Sequence, residues 1–197
     1  SGNDATIVLA EGLTGSEDVF AETITQMAKS IGMKNSNFKN ASGWPDPDHY
    51  STAKDLSILA YRLIKDFPEY YHYYSQKKFT YNDITQPNRN PLLFRNMGVD
   101  GIKTGHTEVG GYGLMASGER DGRRLILVVN GLDSEKSRAD ESARILEWGF
   151  NSFENMQLFK SGEQVAMAEV VMGQDPEVDL VIKDDVFISL FKEKKDD

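Results

Sequence analysis

Val99-Asp100-Gly101-Ile102-Lys103-Thr104-Gly105-His106-Thr107 is the stretch that decides how the rest of this sequence is understood. Side chains alternate along an extended segment, so Lys103 and Gly105 share one face and Thr104 lies on the other or at the rim. Gly105 has no side chain, which lets a ligand backbone lie against the strand. Lys103 sets a fixed positive charge beside the Thr104 hydroxyl, a pair suited to a carboxylate or a developing oxyanion. A Lys-Thr-Gly tripeptide arises by chance in roughly one chain in twenty of this length. A surface lysine before a turn glycine would look the same, so the surroundings must decide.

Those surroundings are rich in glycine: 7 of the 17 glycines lie between Gly98 and Gly118. That density predicts close backbone approach and argues against a helix. Residues 112–119 and 124–130 are strand-like around Asp121-Gly122, a strong hairpin turn signal. Upstream, Ser16 caps a helix with Glu17 and Asp18 in its first turn. Val19, Phe20, Ile24, Met27, Ala28 and Ile31 recur at helical spacing before Gly32. After a loop rich in Asn, Gly and Pro, Thr52 and Asp55 form a capping-box variant for a second helix. Its buried face carries Leu56, Leu59, Ala60, Leu63 and Ile64, and Pro68 ends it. Tyr70, Tyr71, Tyr73 and Tyr74 are expected to pack against that helix. A third helix spans 134–153. Beyond Asn155 the composition shifts, and 164–172, 178–183 and 186–191 read as short strands, with Met167 and Met172 as core residues.

The expected fold class is therefore α/β over residues 1–153, with an antiparallel sheet and helices, followed by the start of a small all-β domain over 154–197. Three short strands make a poor core, and the chain opens without Met. Both features suggest an excerpt of a longer protein. Composition excludes several classes. The 197 residues carry 22 basic and 31 acidic side chains, a net charge of −9, which removes the basic footprint of a nucleic-acid partner. No cysteine is present, so a thiol nucleophile and Cys-ligated zinc are ruled out. Apolar runs are too short to span a bilayer.

Other signals weaken on inspection. Gly111-Tyr112-Gly113-Leu114-Met115-Ala116 matches a dinucleotide fingerprint, but it runs into a strand pattern and not a helix. Ile102 breaks the phosphate-loop pattern. Asp46, Asp48 and His49 could ligate a metal, yet the neighbouring prolines favour a turn. No cofactor and no metal are expected. Ser1-Gly2-Asn3 is a Ser-x-Asn triplet, uninformative alone but informative ahead of a Lys-Thr-Gly. Serine-reactive penicillin-binding proteins and β-lactamases use Ser-x-x-Lys, then Ser-x-Asn, then Lys-Thr-Gly.

Taken with 32–38, 86–90, Gly111-Tyr112 and Trp148-Gly149-Phe150, these strings resemble the D-alanyl-D-alanine carboxypeptidases, the low-molecular-mass penicillin-binding proteins, over essentially the whole chain. The last 40 or so residues resemble the opening of that family's C-terminal β-domain. The resemblance implies a serine β-lactamase-like transpeptidase fold. It also implies acyl transfer through a serine ester that removes the terminal D-alanine of peptidoglycan stem peptides. It gives Ser1 a proton-relay role toward the leaving nitrogen and Asn3 the orientation of the substrate amide. Lys103 provides field and hydrogen bonding to Ser1, and Thr104 holds the terminal carboxylate. Gly105 belongs to the same strand, and the His106 backbone N–H supplies half of an oxyanion hole. Arg138, 35 residues after Lys103, pairs with the substrate carboxylate as a bidentate fork; the alternative is a solvated helix residue beside Asp133, Glu135 and Asp140. Arg89 is a weaker candidate for the cleft wall or a substrate contact.

One departure matters. The family nucleophile lies in a Ser-x-x-Lys upstream of Ser-x-Asn, and this sequence begins at Ser-x-Asn. The four Ser-x-x-Lys strings present, at Ser36, Ser51, Ser75 and Ser189, all lie downstream. The chain is thus expected to be inactive alone, with the preceding segment of the same protein as its partner. Stem peptides and β-lactams are the implied ligands. The implied location is the cell envelope, periplasmic or on the outer face of the cytoplasmic membrane, and peripheral anchoring would come from a segment outside this chain. Alternatives are a serine β-lactamase, or an inactive peptidoglycan-binding scaffold.

Overall fold

The computed structural model describes residues 2–192. It forms two compact units, one ending at Glu147 and one beginning at Trp148. Ser1, given a proton-relay role above, lies outside the described residues.

Helix α1 (Asn3–Thr14) follows Gly2 and ends on Gly15, whose left-handed backbone (φ 82°) returns its N–H to the Glu11 carbonyl. The sequence offered no helical period here, because Ile7, Val8, Leu9 and Ala10 are contiguous. Only Ala10 is buried, while Val8, Leu9 and Leu13 are exposed. Helix α2 (Glu17–Ser30) starts as expected, with Ser16 Oγ accepting from the Val19 N–H. Its buried face agrees with the predicted period only at Ala28. Ala21, Thr25 and Ala28 are buried, whereas Val19 and Met27 are exposed. Helix α2 packs on α1, and Thr25 on its buried stripe bonds the Phe38 backbone.

Helix α3 (Ala53–Asp66) is capped by Thr52, whose Oγ1 accepts from the Asp55 N–H. The reciprocal half of the capping box is absent. The Asp55 carboxylate turns away to accept from the Asn35 N–H and the Ser36 hydroxyl, both at 2.7 Å. Pro68 does not simply end this helix; it opens the short α4 (Pro68–Tyr71), where its missing N–H costs nothing. A 3-10 turn (His72–Ser75) follows. The tyrosines line an apolar recess with Leu63 and Phe67, as packing beside the second helix requires, but Tyr71 also reaches the sheet.

A hairpin of β1 (Lys78–Tyr81) and β2 (Ile84–Pro87) was not foreseen. Its turn residues Asn82 and Asp83 both have positive φ, 46° and 61°, without the glycine that usually flags such a turn. Next come β3 (Val99–Thr107), β4 (Gly111–Arg120) and β5 (Arg123–Leu132), an antiparallel sheet in the order β3-β4-β5. The β4–β5 turn is the expected Asp121-Gly122, with φ of 50° and 73°. Helix α3 packs against β4 and β5. The core includes Leu92, Ile102, Leu114, Ala116 and Leu146. Helix α5 (Glu135–Ser152) is the predicted third helix, with Ser134 Oγ accepting from the Ser137 N–H.

In the second unit, Phe153 leaves the helix to open β6 (Phe153–Phe159), which pairs with β9 (Val186–Phe191). The sequence missed β6 because its apolar residues break strict alternation. Strands β7 (Gln164–Glu169) and β8 (Glu177–Val181) pair with each other. Met167 and Met172 are exposed, not core. Met172 lies past the end of β7 with φ 65°.

Candidate active site

Among the described residues β3 pairs only with β4, so no strand covers its other edge. Burial along it alternates as the motif requires: Lys103 and Gly105 are exposed and Thr104 is buried. A Cβ built on Gly105 would meet nothing within 4 Å, leaving room beside the strand. A groove of about 620 Å³ opens along this edge. Its walls include Lys103 and Thr104 on β3, Arg89 just after β2, and Gly2 and Ala5 at the start of α1. The chain start and the Lys-Thr-Gly edge therefore share one cavity although 100 residues separate them in sequence. Asn3 opens α1 between the two lining residues Gly2 and Ala5.

Lys103 Nζ donates to the Thr104 carbonyl at 2.6 Å. Loss of water around the ammonium, then the like charges of Arg89 and Arg138, hold its pKa below the ordinary lysine value. Arg138, on α5, does not line the groove but lies near enough to Lys103 to act on its charge, and at 5% exposed it is not the solvated helix residue of the alternative reading. Its contact with Glu135 is long, 3.9 Å, and its buried Nε has no hydrogen-bond partner. A desolvated guanidinium so weakly paired favours an added anion. The His106 ring stacks on Tyr112, with centroids 3.9 Å apart.

The structure also identifies residues that the sequence did not single out. Buried Asn90 donates from Nδ2 to the Gly101 carbonyl at 2.9 Å and caps the next 3-10 turn through Leu92 N–H. Asp100, beside the motif, accepts from the Tyr71 hydroxyl at 2.9 Å and from Arg124 at 2.8 Å. Arg124 also donates to Ser117 Oγ. These contacts pin the start of β3 on the α4 and β5 sides. Asn before Pro91 was a usable cap signal; nothing local to Tyr71 or Arg124 could have revealed partners on other elements.

The downstream Ser-x-x-Lys serines have other employment. Ser36 bonds Asp55 and Ser51, Ser75 bonds the His72 carbonyl, and Ser189 bonds Asn155. At the proposed metal decoy, Asp46 Oδ1 accepts the Asp48 N–H and His49 Nδ1 accepts the Lys39 N–H, as in a turn.

Comparison with solved structures places this architecture among the penicillin-binding proteins. Penicillin-binding protein 5 from Haemophilus influenzae superposes with a TM-score of 0.89 at 42% identity, over 98% of this chain and 57% of that one. Penicillin-binding protein 6B from Escherichia coli gives 0.81 at 36% identity, over 98% and 56%. Residues 1–134 match the D-alanyl-D-alanine carboxypeptidase family, and residues 153–197 match the C-terminal domain of penicillin-binding protein 5. The chain belongs to the D-alanyl-D-alanine carboxypeptidase family. Among its relatives, D-alanyl-D-alanine carboxypeptidase DacA of H. influenzae is 42% identical over 99% of this chain and 50% of its own length. DacD of E. coli is 39% identical over 98% and 50%. The chain thus spans about half the length of the curated relatives it matches.

Proposed function

We propose that the protein carrying this chain is a serine-type D-alanyl-D-alanine carboxypeptidase, which removes the terminal D-alanine of peptidoglycan stem peptides through an acyl-serine. The observation that carries this reading is the shared groove: Gly2 and Ala5 at the start of α1 line the same cavity as Lys103 and Thr104. Residues 1–153 would be the larger, C-terminal part of the catalytic domain and 154–197 the opening of a β-rich domain. The two family matches, 1–134 and 153–197, support that division.

In this mechanism a serine preceding Ser1 in the whole protein attacks the penultimate D-alanine carbonyl. Thr104 and Arg138 hold the terminal carboxylate, and Asn3 orients the amide. The His106 N–H supports the oxyanion, and Ser1 with Lys103 passes a proton to the leaving D-alanine nitrogen. Water then releases the acyl group. Arg89, on the groove wall, adds positive potential for the same carboxylate. β-Lactams would acylate the same serine; solved relatives from Listeria monocytogenes are described in cefotaxime-bound and ampicillin-bound forms. Acting on peptidoglycan, the parent protein would work in the cell envelope, in the periplasm or on the outer face of the cytoplasmic membrane.

The test is D-alanine release from a D-Ala-D-Ala peptide by the whole protein. Lys103→Ala should lower kcat/KM by about 100-fold or more, the scale for losing one charge-stabilising donor. Unchanged turnover in that variant would refute the assignment. Rapid release of hydrolysed penicillin, instead of a long-lived acyl-enzyme, would favour a β-lactamase.

A further inference from the structure

We propose that Tyr112 is a positioning residue: its ring sets Arg138 and His106 in fixed relation and so gives the groove its selectivity for a ligand carboxylate. This rests on the carboxypeptidase reading and adds to it a residue with no role there.

Tyr112 lies opposite His106 in the β3–β4 register. The two rings stack at 3.9 Å between centroids with an interplanar angle of 29°. From a different element, α5, the Arg138 guanidinium carbon lies 5.6 Å from the centre of the Tyr112 ring. One aromatic ring therefore contacts both the residue whose N–H is assigned to the oxyanion and the cation assigned to the carboxylate. The backbone is built to aim it. The β4–β5 register shifts between Tyr112 and Leu114, an irregularity of the kind that redirects side chains. Gly113 lies inside that shift, where a Cβ would come within 2.5 Å of Asn130 Oδ1.

The chemistry explains why an aromatic ring suits this position. Arg138 is buried, its Nε is unpartnered and its contact with Glu135 is long. A carboxylate packed against it would hold it firmly but would also neutralise it. An aromatic face attracts the guanidinium through the ring quadrupole and leaves its charge available to a ligand anion. An aliphatic side chain of similar volume would fill the space without that attraction.

The experiment uses the whole protein and two probes, benzylpenicillin and its C3-carboxamide, with acylation rates read by competition against a fluorescent penicillin. Tyr112→Leu should slow acylation by benzylpenicillin about tenfold, the scale of a desolvated cation–π contact. The carboxamide rate should change less than twofold, so carboxylate selectivity collapses. Tyr112→Phe, which keeps the ring, should stay within twofold of the parent for both probes. In an Arg138→Gln background, Tyr112→Leu should cost no further selectivity. Should Tyr112→Leu not fold, Tyr112→Met gives the same readout. Equal slowing with both probes, or Tyr112→Phe behaving as Tyr112→Leu, overturns the proposal while the carboxypeptidase reading stands. An unsubstituted protein that benzylpenicillin does not acylate overturns both.

Discussion

Arg89 and Lys103 line one groove and Arg138 lies near enough to act on Lys103, three positive charges close together in a chain of net charge −9. Their mutual repulsion is a cost that an anionic ligand relieves, and it has a consequence for pH. The Lys103 pKa lies below that of an ordinary lysine, so its charge is lost at lower pH than usual as pH rises. Removing the Arg89 charge removes one of the causes. Arg89→Gln should therefore move the alkaline limb of the acylation profile to higher pH; a limb that stays put or moves down would contradict the assignment. A second residue is structural. Asp55 is 1% exposed and holds the Asn35 N–H and the Ser36 hydroxyl. Asp55→Ala should cost about 2–4 kcal/mol in urea unfolding, since both donors lose a charged acceptor; a loss below about 0.5 kcal/mol would show them satisfied elsewhere. At this scale the sequence was legible where chemistry is local. Lys103 beside Thr104 and the Thr52 cap could be read from neighbours in the chain. The Asp55 carboxylate could not, because its partners lie about 20 residues away on a loop.

The elements divide along similar lines. The β4–β5 hairpin was legible because Asp121-Gly122 announces a turn requiring positive φ. Gly122→Ala should destabilise the protein by about 1–2 kcal/mol, the cost of a left-handed L-residue; thermal unfolding unchanged from the parent would argue against this turn. The β1–β2 hairpin uses Asn82-Asp83 in the same conformation, and without a glycine its signal is faint. Helix α1 escaped because its apolar residues are consecutive and mostly exposed, so no stripe marks a buried face. In α2 the period was found, but the buried stripe consists of small residues and not the large ones the hydropathy pattern favours. The room for a ligand backbone at Gly105 was legible from the motif. The anchoring of β3 by Tyr71, Asn90 and Arg124 belongs to packing between elements, which pattern alone does not carry.

Over the whole molecule, the groove is where distant sequence becomes chemistry. Gly2, inside the Ser-x-Asn motif, lines it together with Lys103 and Thr104 of the Lys-Thr-Gly motif, two of the three motifs that define the family reaction. The third motif, the nucleophile, is expected in the part of the relatives' length that this chain does not span. Motif order could suggest that meeting, since spacing along the chain carries the order of the motifs; the meeting itself depends on how α1 and the sheet pack. The account is tested most directly by treating the whole protein with benzylpenicillin and mapping the adduct by peptide mass spectrometry. One penicilloyl group is predicted, on a serine preceding Ser1, with its formation slowed by Lys103→Ala. An adduct on Ser36, Ser51, Ser75 or Ser189, or formation indifferent to Lys103, would contradict the account.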